Sequence, residues 1–396
     1  MGRPIKRIIF LSLNRFSQRE YDRLGIDQLK RKGFRVEYWE TNLIAPPEPP
    51  TTGTPKSNHA FDGLRRYNGD GVLLEALEGL TACDVLVALT NVPHIKMIKV
   101  FRQISRSKAY WGTVQLGEVP VALEENNLLI RLQKFAKNPG LIWKFILIRI
   151  SLKWLGIRAF DFYLVGGDSP PCNKAHLSLI DVHTQWISAH SFDYDCHLLA
   201  PRRASNAAST ENVVFLDAAG PFHPDFEFLG CPAFPCGAEE YFANLNSFFH
   251  LVEERFGCSV IIAAHPKSRY EERGNLFEER SIVRGNTRQL VQEAKFVLAA
   301  SSTAVSFAVI YSKPIVFLAI NPRVQNFLDN RIQHLASQFG KQPVHWTGKG
   351  NVDWDRELVI DKKRYTDYMT AYIKKPGSPE MSCWEIFANY LETLPG

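Results

Sequence analysis

The feature that most limits how this chain can fold is a series of short, unbroken apolar runs. They read "RIIFLSL", "FRVEYWE", "DVLVALT", "FDFYLVGG", "VVFLDAA", "CSVIIAAH", "KFVLAA" and "KPIVFLA". Each suits a strand buried inside a sheet. Between them lie helical stretches such as "SQREYDRLGIDQLKRKG", closed by Gly33, and "GAEEYFANLNSFFHLVEERFG". The second carries Tyr241, Leu245, Phe248, Phe249 and Val252 at helical spacing. "NTRQLVQEA" reads as a helix with Asn286 or Thr287 as its cap, and "SSTAVSFAVIYS" as a helix that begins at its hydroxyls. Strand and helix in alternation predict an α/β fold with parallel sheets covered on both faces.

The rhythm runs twice, interrupted by a polar, alanine- and serine-rich stretch at Arg202 to Asn212. The expected architecture is therefore two Rossmann-like lobes facing a central cleft. The first spans 1–201, a linker 202–212 follows, the second lobe spans 213–365, and helices over 366–396 pack back across the lobes. A length of 396 residues suits roughly two or three domains rather than one core.

Charge narrows the partners. A net charge of +6 and a pI near 8.8 favour a phosphate-bearing ligand or an anionic membrane face and are too small to predict nucleic-acid binding. The seven cysteines are scattered with no CxxC pair, which predicts reduced thiols in a cytoplasmic protein and neither a zinc site nor a redox motif. The start, "MGRPIKRIIFLSLNRFSQ", reads as a first core strand rather than a secretion signal. One stretch, 141–158 ("LIWKFILIRISLKWLGIR"), is apolar but carries Lys144, Arg149, Lys153 and Arg158. It is too interrupted to span a bilayer. Two readings stand: a half-buried helix with snorkelling cations, or an in-plane helix on an anionic inner leaflet.

Chemistry-bearing residues gather where strands of the second half end, which is where open α/β sheets bind ligands. "VIIAAHPK" places His265, Pro266 and Lys267 at one such end, and Pro266 stops the strand. There an imidazole N–H and an ammonium can meet a phosphate, or the dipeptide can be a plain strand exit. "AASSTAVSF" puts Ser301, Ser302 and Thr303 before an apolar helix, with more hydroxyls than one cap needs. "VVFLDAAGPFHPD" ends a strand at Asp217, with His223 and Asp225 beyond it. A carboxylate there can act as a general base or simply form a turn. Further on, "DVHTQWISAHSFDYDCHL" holds His183, His190, Asp193 and Asp195; His190 and Asp193 are candidates for the acceptor side. "VGGDSPP" lacks dinucleotide-binding spacing, no metal-ligand spacing appears, and neither a P-loop nor a nucleophile elbow occurs.

A strand ending in Asp-x-x-Gly, then one ending in His-Pro, then one opening on Ser-Ser-Thr resembles bacterial surface-polysaccharide glycosyltransferases of the GT-B fold. It resembles most those that use CMP-activated acidic sugars, the sialyltransferase-like and Kdo-transferase-like enzymes of capsule and lipopolysaccharide assembly. The resemblance covers the second half by motif and the first half only by fold. It implies that His265 and Ser301 to Thr303 hold the nucleotide phosphate without a metal and that Asp217 is the general base. "LDAAG" shows one acid where that family has two adjacent ones, which keeps Asp225 or an acid of the first lobe as other candidates for the base. The implied reaction is inverting transfer of a nonulosonate- or Kdo-type sugar to a glycan or lipid-linked acceptor at the inner face of the cytoplasmic membrane, with no cofactor beyond the donor. Similar elements occur in CDP-glycerol and CDP-ribitol polymerases. A UDP-sugar hexosyltransferase, a nucleotide-sugar epimerase and a non-catalytic scaffold of the same lobes remain alternatives. Specificity is expected in the loops 46–58 and 218–238.

Overall fold

The computed structural model describes residues 5–43, 61–90, 95–117, 120, 152–170, 174–200, 212–222, 237–266, 268–320 and 327–394. Its chain divides into two compact units. The first comprises 1–116, 124–192 and 377–396; the second comprises 117–123 and 193–376. The chain thus changes unit at 192/193, ahead of the polar stretch from which the sequence places a linker. That stretch lies almost wholly outside the described residues, as does most of 141–158. The terminal helices also part company: Lys362–Tyr368 belongs to the second unit and Cys383–Glu392 to the first.

The first unit is built on a seven-stranded sheet of β1 (Arg7–Ser12), β2 (Arg35–Thr41), β3 (Leu64–Tyr67), β4 (Asp84–Ala88), β5 (Tyr110–Gln115), β6 (Phe162–Gly166) and β7 (Gln185–Ala189). Its order is β3-β2-β1-β4-β5-β6-β7, and every pairing is parallel. Successive residues of the apolar runs point to opposite faces. Ile8, Phe10, Val36, Tyr38, Val85 and Val87 join one core, and Ile9, Leu11, Trp39, Leu86 and Ala88 the other. The C-terminal helix closes the first of these cores. Its Trp384 ring packs edge-on against Phe10 at 5.0 Å and its indole N–H donates to the Arg23 carbonyl at 2.7 Å. Ser382 caps that helix through the Glu385 N–H.

The second unit holds a six-stranded sheet of β8 (Val213–Leu216), β9 (Val260–Ala263), β10 (Ile282–Val283), β11 (Val297–Ala299), β12 (Ile315–Ile320) and β13 (Val344–Trp346). Its order is β10-β9-β8-β11-β12-β13, again parallel throughout. Val214, Leu216, Val297 and Ala299 pack on one face, Val213, Phe215 and Leu298 on the other. The chain leaves β8 toward β9 and later crosses back to β11 on the opposite side. The ends of β8 and β11 therefore flank a switch point, where such sheets open a crevice. Among the described residues no helix is long and apolar enough to cross a membrane.

One buried group in the first unit makes stability depend on pH. His176 is buried, with Nε2 3.3 Å from the Thr90 carbonyl oxygen and Nδ1 3.5 Å from the Tyr163 hydroxyl. Burial pushes its pKa from 6.5 down to about 4. Between those values the unfolded chain binds the proton more tightly. The stability that neutral His176 supplies is therefore full above the unfolded value and is lost as pH falls toward the folded one. The loss amounts to roughly 3 kcal/mol. Chemical denaturation of wild type and His176→Gln across this range should show the two stability curves diverging in slope. Parallel curves would mean that the ring titrates normally.

Candidate functional site

The register of the second sheet brings the three sequence-derived strand ends together. Leu216 of β8 pairs with Ala263 of β9 on one side and with Ala299 of β11 on the other. The next residues are Asp217, Ala264 and Ala300, and the ones after include His265 and Ser301. Neighbouring strands lie ~4.8 Å apart, so His265 and Ser301 leave the sheet roughly 10 Å from each other with Asp217 between them.

Asp217 is 5% exposed, and both of its carboxylate oxygens are taken. Oδ1 accepts from the Ala219 N–H at 2.9 Å and Oδ2 from the His265 N–H at 2.9 Å. The Tyr270 hydroxyl lies 2.9 Å from each oxygen. Burial pushes this carboxyl above the usual aspartate value, while the hydrogen bonds from His265, Tyr270, Ala219 and Ala218 pull the other way. Tyr270 is held well above the usual phenol range by burial and by the adjacent Asp217, so it stays protonated and donates. The general-base role expected of Asp217 therefore meets a geometric obstacle: an acceptor hydroxyl would have to displace protein donors. What the arrangement does accomplish is to brace the exit of β9.

That brace fixes His265 from both sides. Its N–H goes to Asp217, and its carbonyl accepts from the Ser268 N–H at 2.9 Å and the Ser268 hydroxyl at 2.7 Å. Arg284 holds the Ser268 carbonyl at 2.8 Å and pairs with Glu271 at 2.9 Å. The half-buried His265 side chain thus springs from a backbone pinned at three points, and Pro266 beyond it is exposed. Lys267, the third residue of the motif, lies outside the described residues, as do His223 and Asp225.

The Ser-Ser-Thr segment differs from its expected form. The helix starts only at Val305 and runs six residues to Ile310, so Ser301 to Thr303 form the turn ahead of it. The position before its first residue is Ala304, with no side-chain cap. Ser302 Oγ receives only a long 3.4 Å contact from the Ala304 N–H. The hydroxyls of Ser301 and Thr303 have no hydrogen-bond partner among the described residues and remain partly or fully exposed. Capping does not consume them, which leaves two O–H donors at the switch point. The cap expected at Asn286 likewise accepts no helix N–H; its Nδ2 instead reaches Gln289 Oε1 at 3.4 Å.

The acceptor-side pair separates. His190 is fully buried, and its Nε2 lies 2.7 Å from the Met381 carbonyl oxygen. It ties the exit of β7 to the C-terminal segment inside the first unit and has no exposed surface. Asp193 stands half-buried in the first turn of the helix Phe192–Leu198, in the second unit. Among the described residues no group of three or more His, Cys, Asp or Glu side chains could hold a metal ion.

Sequence reasoning missed Tyr270 and Ala219. Tyr270 stands 53 positions from Asp217, and no spacing rule links them. Ala219 adopts φ +59 and Gly220 φ +44, a left-handed pair that begins two residues after Asp217. The Asp-Ala-Ala-Gly string does signal a turn there, and a Cβ on Gly220 would sit 2.8 Å from the Tyr241 ring. A non-glycine residue in this conformation is uncommon and tends to mark functional turns.

No protein-family model and no curated protein sequence matches the chain. Solved structures do. The S. aureus MnaA-UDP co-structure is 12% identical, matches over 98% of each chain and superposes with a TM-score of 0.50. A Listeria monocytogenes protein assigned as a UDP-N-acetylglucosamine 2-epimerase is 9% identical over 100% of this chain and 99% of that one, with a TM-score of 0.51. Acinetobacter baumannii MurG is 9% identical over 98% and 100%, with a TM-score of 0.46. At such identities the likeness concerns architecture alone, and with the sheet topologies above it places the chain in one class: two parallel-sheet α/β lobes of the GT-B type.

Proposed function

We propose that this chain is a GT-B-type enzyme acting on a nucleotide-activated sugar, and that it transfers the sugar to a glycan or lipid-linked acceptor. The observation that carries the reading is the strand-end trio of the second unit. A pinned histidine and two unconsumed hydroxyls flank the switch point, where they can meet the phosphate of a nucleotide. In the proposed step the bond from the anomeric carbon to the donor phosphate breaks as the acceptor oxygen bonds from the opposite side. The departing phosphate gathers negative charge, and donors already aimed at it lower the barrier most when they need not reorganise. His265, Ser301 and Thr303 supply such donors. Asp217 we assign to positioning His265, since its oxygens are committed to protein donors. The acceptor's proton then passes to another acid, for which Asp225 is the nearest candidate in sequence.

The motif resemblance supports a CMP-linked acidic sugar as donor. A second reading, a nucleotide-sugar epimerase or a hexosyltransferase using a UDP-sugar, is favoured by the full-length fold likeness to the MnaA-UDP co-structure. Thermal denaturation with CMP, CDP, UDP and GDP separates these. A nucleotide at 100 times its dissociation constant adds about 2.7 kcal/mol of stability. The CMP-sugar reading expects CMP to give the largest shift. A preference for CDP would move the donor to a polyol phosphate, and one for UDP to the second reading. An altered sugar released without any acceptor would then identify an epimerase. If none of the four shifts the transition, the enzyme reading itself fails.

A further inference from the structure

The peptide groups on both sides of His265 are held, and the two holds differ in where they lie. Ahead of the residue, its N–H donates to the buried Asp217 carboxylate. Beyond it, its carbonyl accepts from the Ser268 N–H and hydroxyl. Holding both peptides fixes the two backbone dihedrals of His265, and with them the direction in which its side chain leaves the chain. Ser268 is held in its turn by a guanidinium. Arg284 Nη2 lies 2.8 Å from the Ser268 carbonyl oxygen and 3.3 Å from its Oγ. The same group meets both oxygens of Glu271, through Nη1 at 2.9 Å and Nη2 at 3.3 Å. A planar fork can serve both partners at once.

The sheet delivers Arg284 to this place. It directly follows β10, a two-residue strand at the edge of the second sheet, paired in parallel with β9. The Ala264 N–H donates to the Val283 carbonyl at 2.9 Å, so the end of β10 runs beside the exit of β9. The Arg284 side chain is 39% exposed and that of Glu271 65%. A pair so open to water adds little stability, so the effect of the fork is geometric.

We propose that Arg284 is a positioning residue that acts through Ser268 to aim His265 at the donor phosphate. This rests on the phosphate-binding reading of His265 and deepens it. Arg284 touches no substrate; it spares His265 a reorganisation during the reaction. A displacement of about 1 Å at such a group can cost ~10²-fold. Arg284→Ala keeps the Asp217 bond and the Ser268 N–H, so a smaller loss of about tenfold is expected.

A double-mutant cycle of Arg284→Ala and His265→Ala tests the role. Its substrate is the sugar donor of whichever of CMP, CDP, UDP and GDP stabilises wild type most. Arg284→Ala should lower kcat about tenfold with little change in the donor KM, while the melting temperature without nucleotide stays within ~4 °C of wild type. In the His265→Ala background the same change should add nothing, because the ring through which it acts is gone. Deuterium exchange over 260–271 should quicken in Arg284→Ala. Arg284→Lys keeps the charge but gives up the fork, and it carries the same cycle should the alanine variant not fold. Losses that multiply in the double variant would overturn the role, as would an unchanged kcat or unchanged exchange. If wild type binds no nucleotide, the phosphate reading falls and takes this role with it, even where exchange shows that Arg284 holds the turn.

Discussion

Replacing His265 with alanine is expected to slow turnover about 10²–10³-fold while leaving the unliganded fold nearly intact. A donor aimed in advance at a departing phosphate is typically worth ~3–4 kcal/mol of barrier. The bonds that the His265 N–H and carbonyl make to this turn are kept by alanine. The melting temperature without nucleotide should therefore stay close to wild type, whereas the stabilisation given by the best nucleotide should largely disappear. Steady-state rates with that donor, alongside melts with and without nucleotide, check both halves. An unchanged rate would reduce the His-Pro pair to a strand exit.

Asp217→Ala should behave in the opposite way, with a large loss of stability before any assay is run. It strips an acceptor from the Ala219 N–H, the His265 N–H and the Tyr270 hydroxyl at a site 5% exposed. Each buried donor left without an acceptor costs ~1–3 kcal/mol, and a domain of this size loses ~2–4 °C of melting temperature per kcal/mol. A drop on the order of 10 °C is expected. Tyr270→Phe deletes one donor and should cost only ~1 kcal/mol. The two effects should be strongly non-additive, because Tyr270 has nothing to bond once the carboxylate is gone. Additive losses would show that the contact is not made. The pH sense is also opposite to that of His176. Burial holds this carboxyl above its unfolded value, so what it contributes is full at acid pH and declines as pH rises through the folded value.

Much of this site was legible because a central parallel strand must be apolar on both faces and must stop where polarity resumes. "VVFLD", "VIIAAH" and "FVLAASS" announce their own ends, and the register then sets those ends side by side. Edge strands announce much less. β3 reads Leu-Arg-Arg-Tyr with two exposed arginines, and β7 keeps Gln185 and Trp186 in solvent, so neither forms an apolar run. "QWISAH" accordingly reads as a polar segment with a histidine to spare. His190 is buried, and its Nε2 meets a carbonyl 191 residues away in sequence. The late start of the helix at Val305 is likewise invisible to periodicity, since Ala304 and Val305 continue the apolar pattern without a break. Asp217 shows the same limit in chemistry. Its position at a strand end could be read, but its four bonds depend on the path of a turn that carries Tyr270 back to it.

The C-terminal helix lies in the first unit while the chain ahead of it completes the second. This ordering has a consequence for synthesis on the ribosome. Residues 193–376 can finish their own core before Trp384 exists to cover Phe10, so the unit translated first is the one completed last. Until the segment that carries Trp384 emerges, the early half presents an apolar sheet face to the cell. A premature stop ahead of residue 377 would leave that face permanently uncovered and the half-built unit a client for chaperones or proteases.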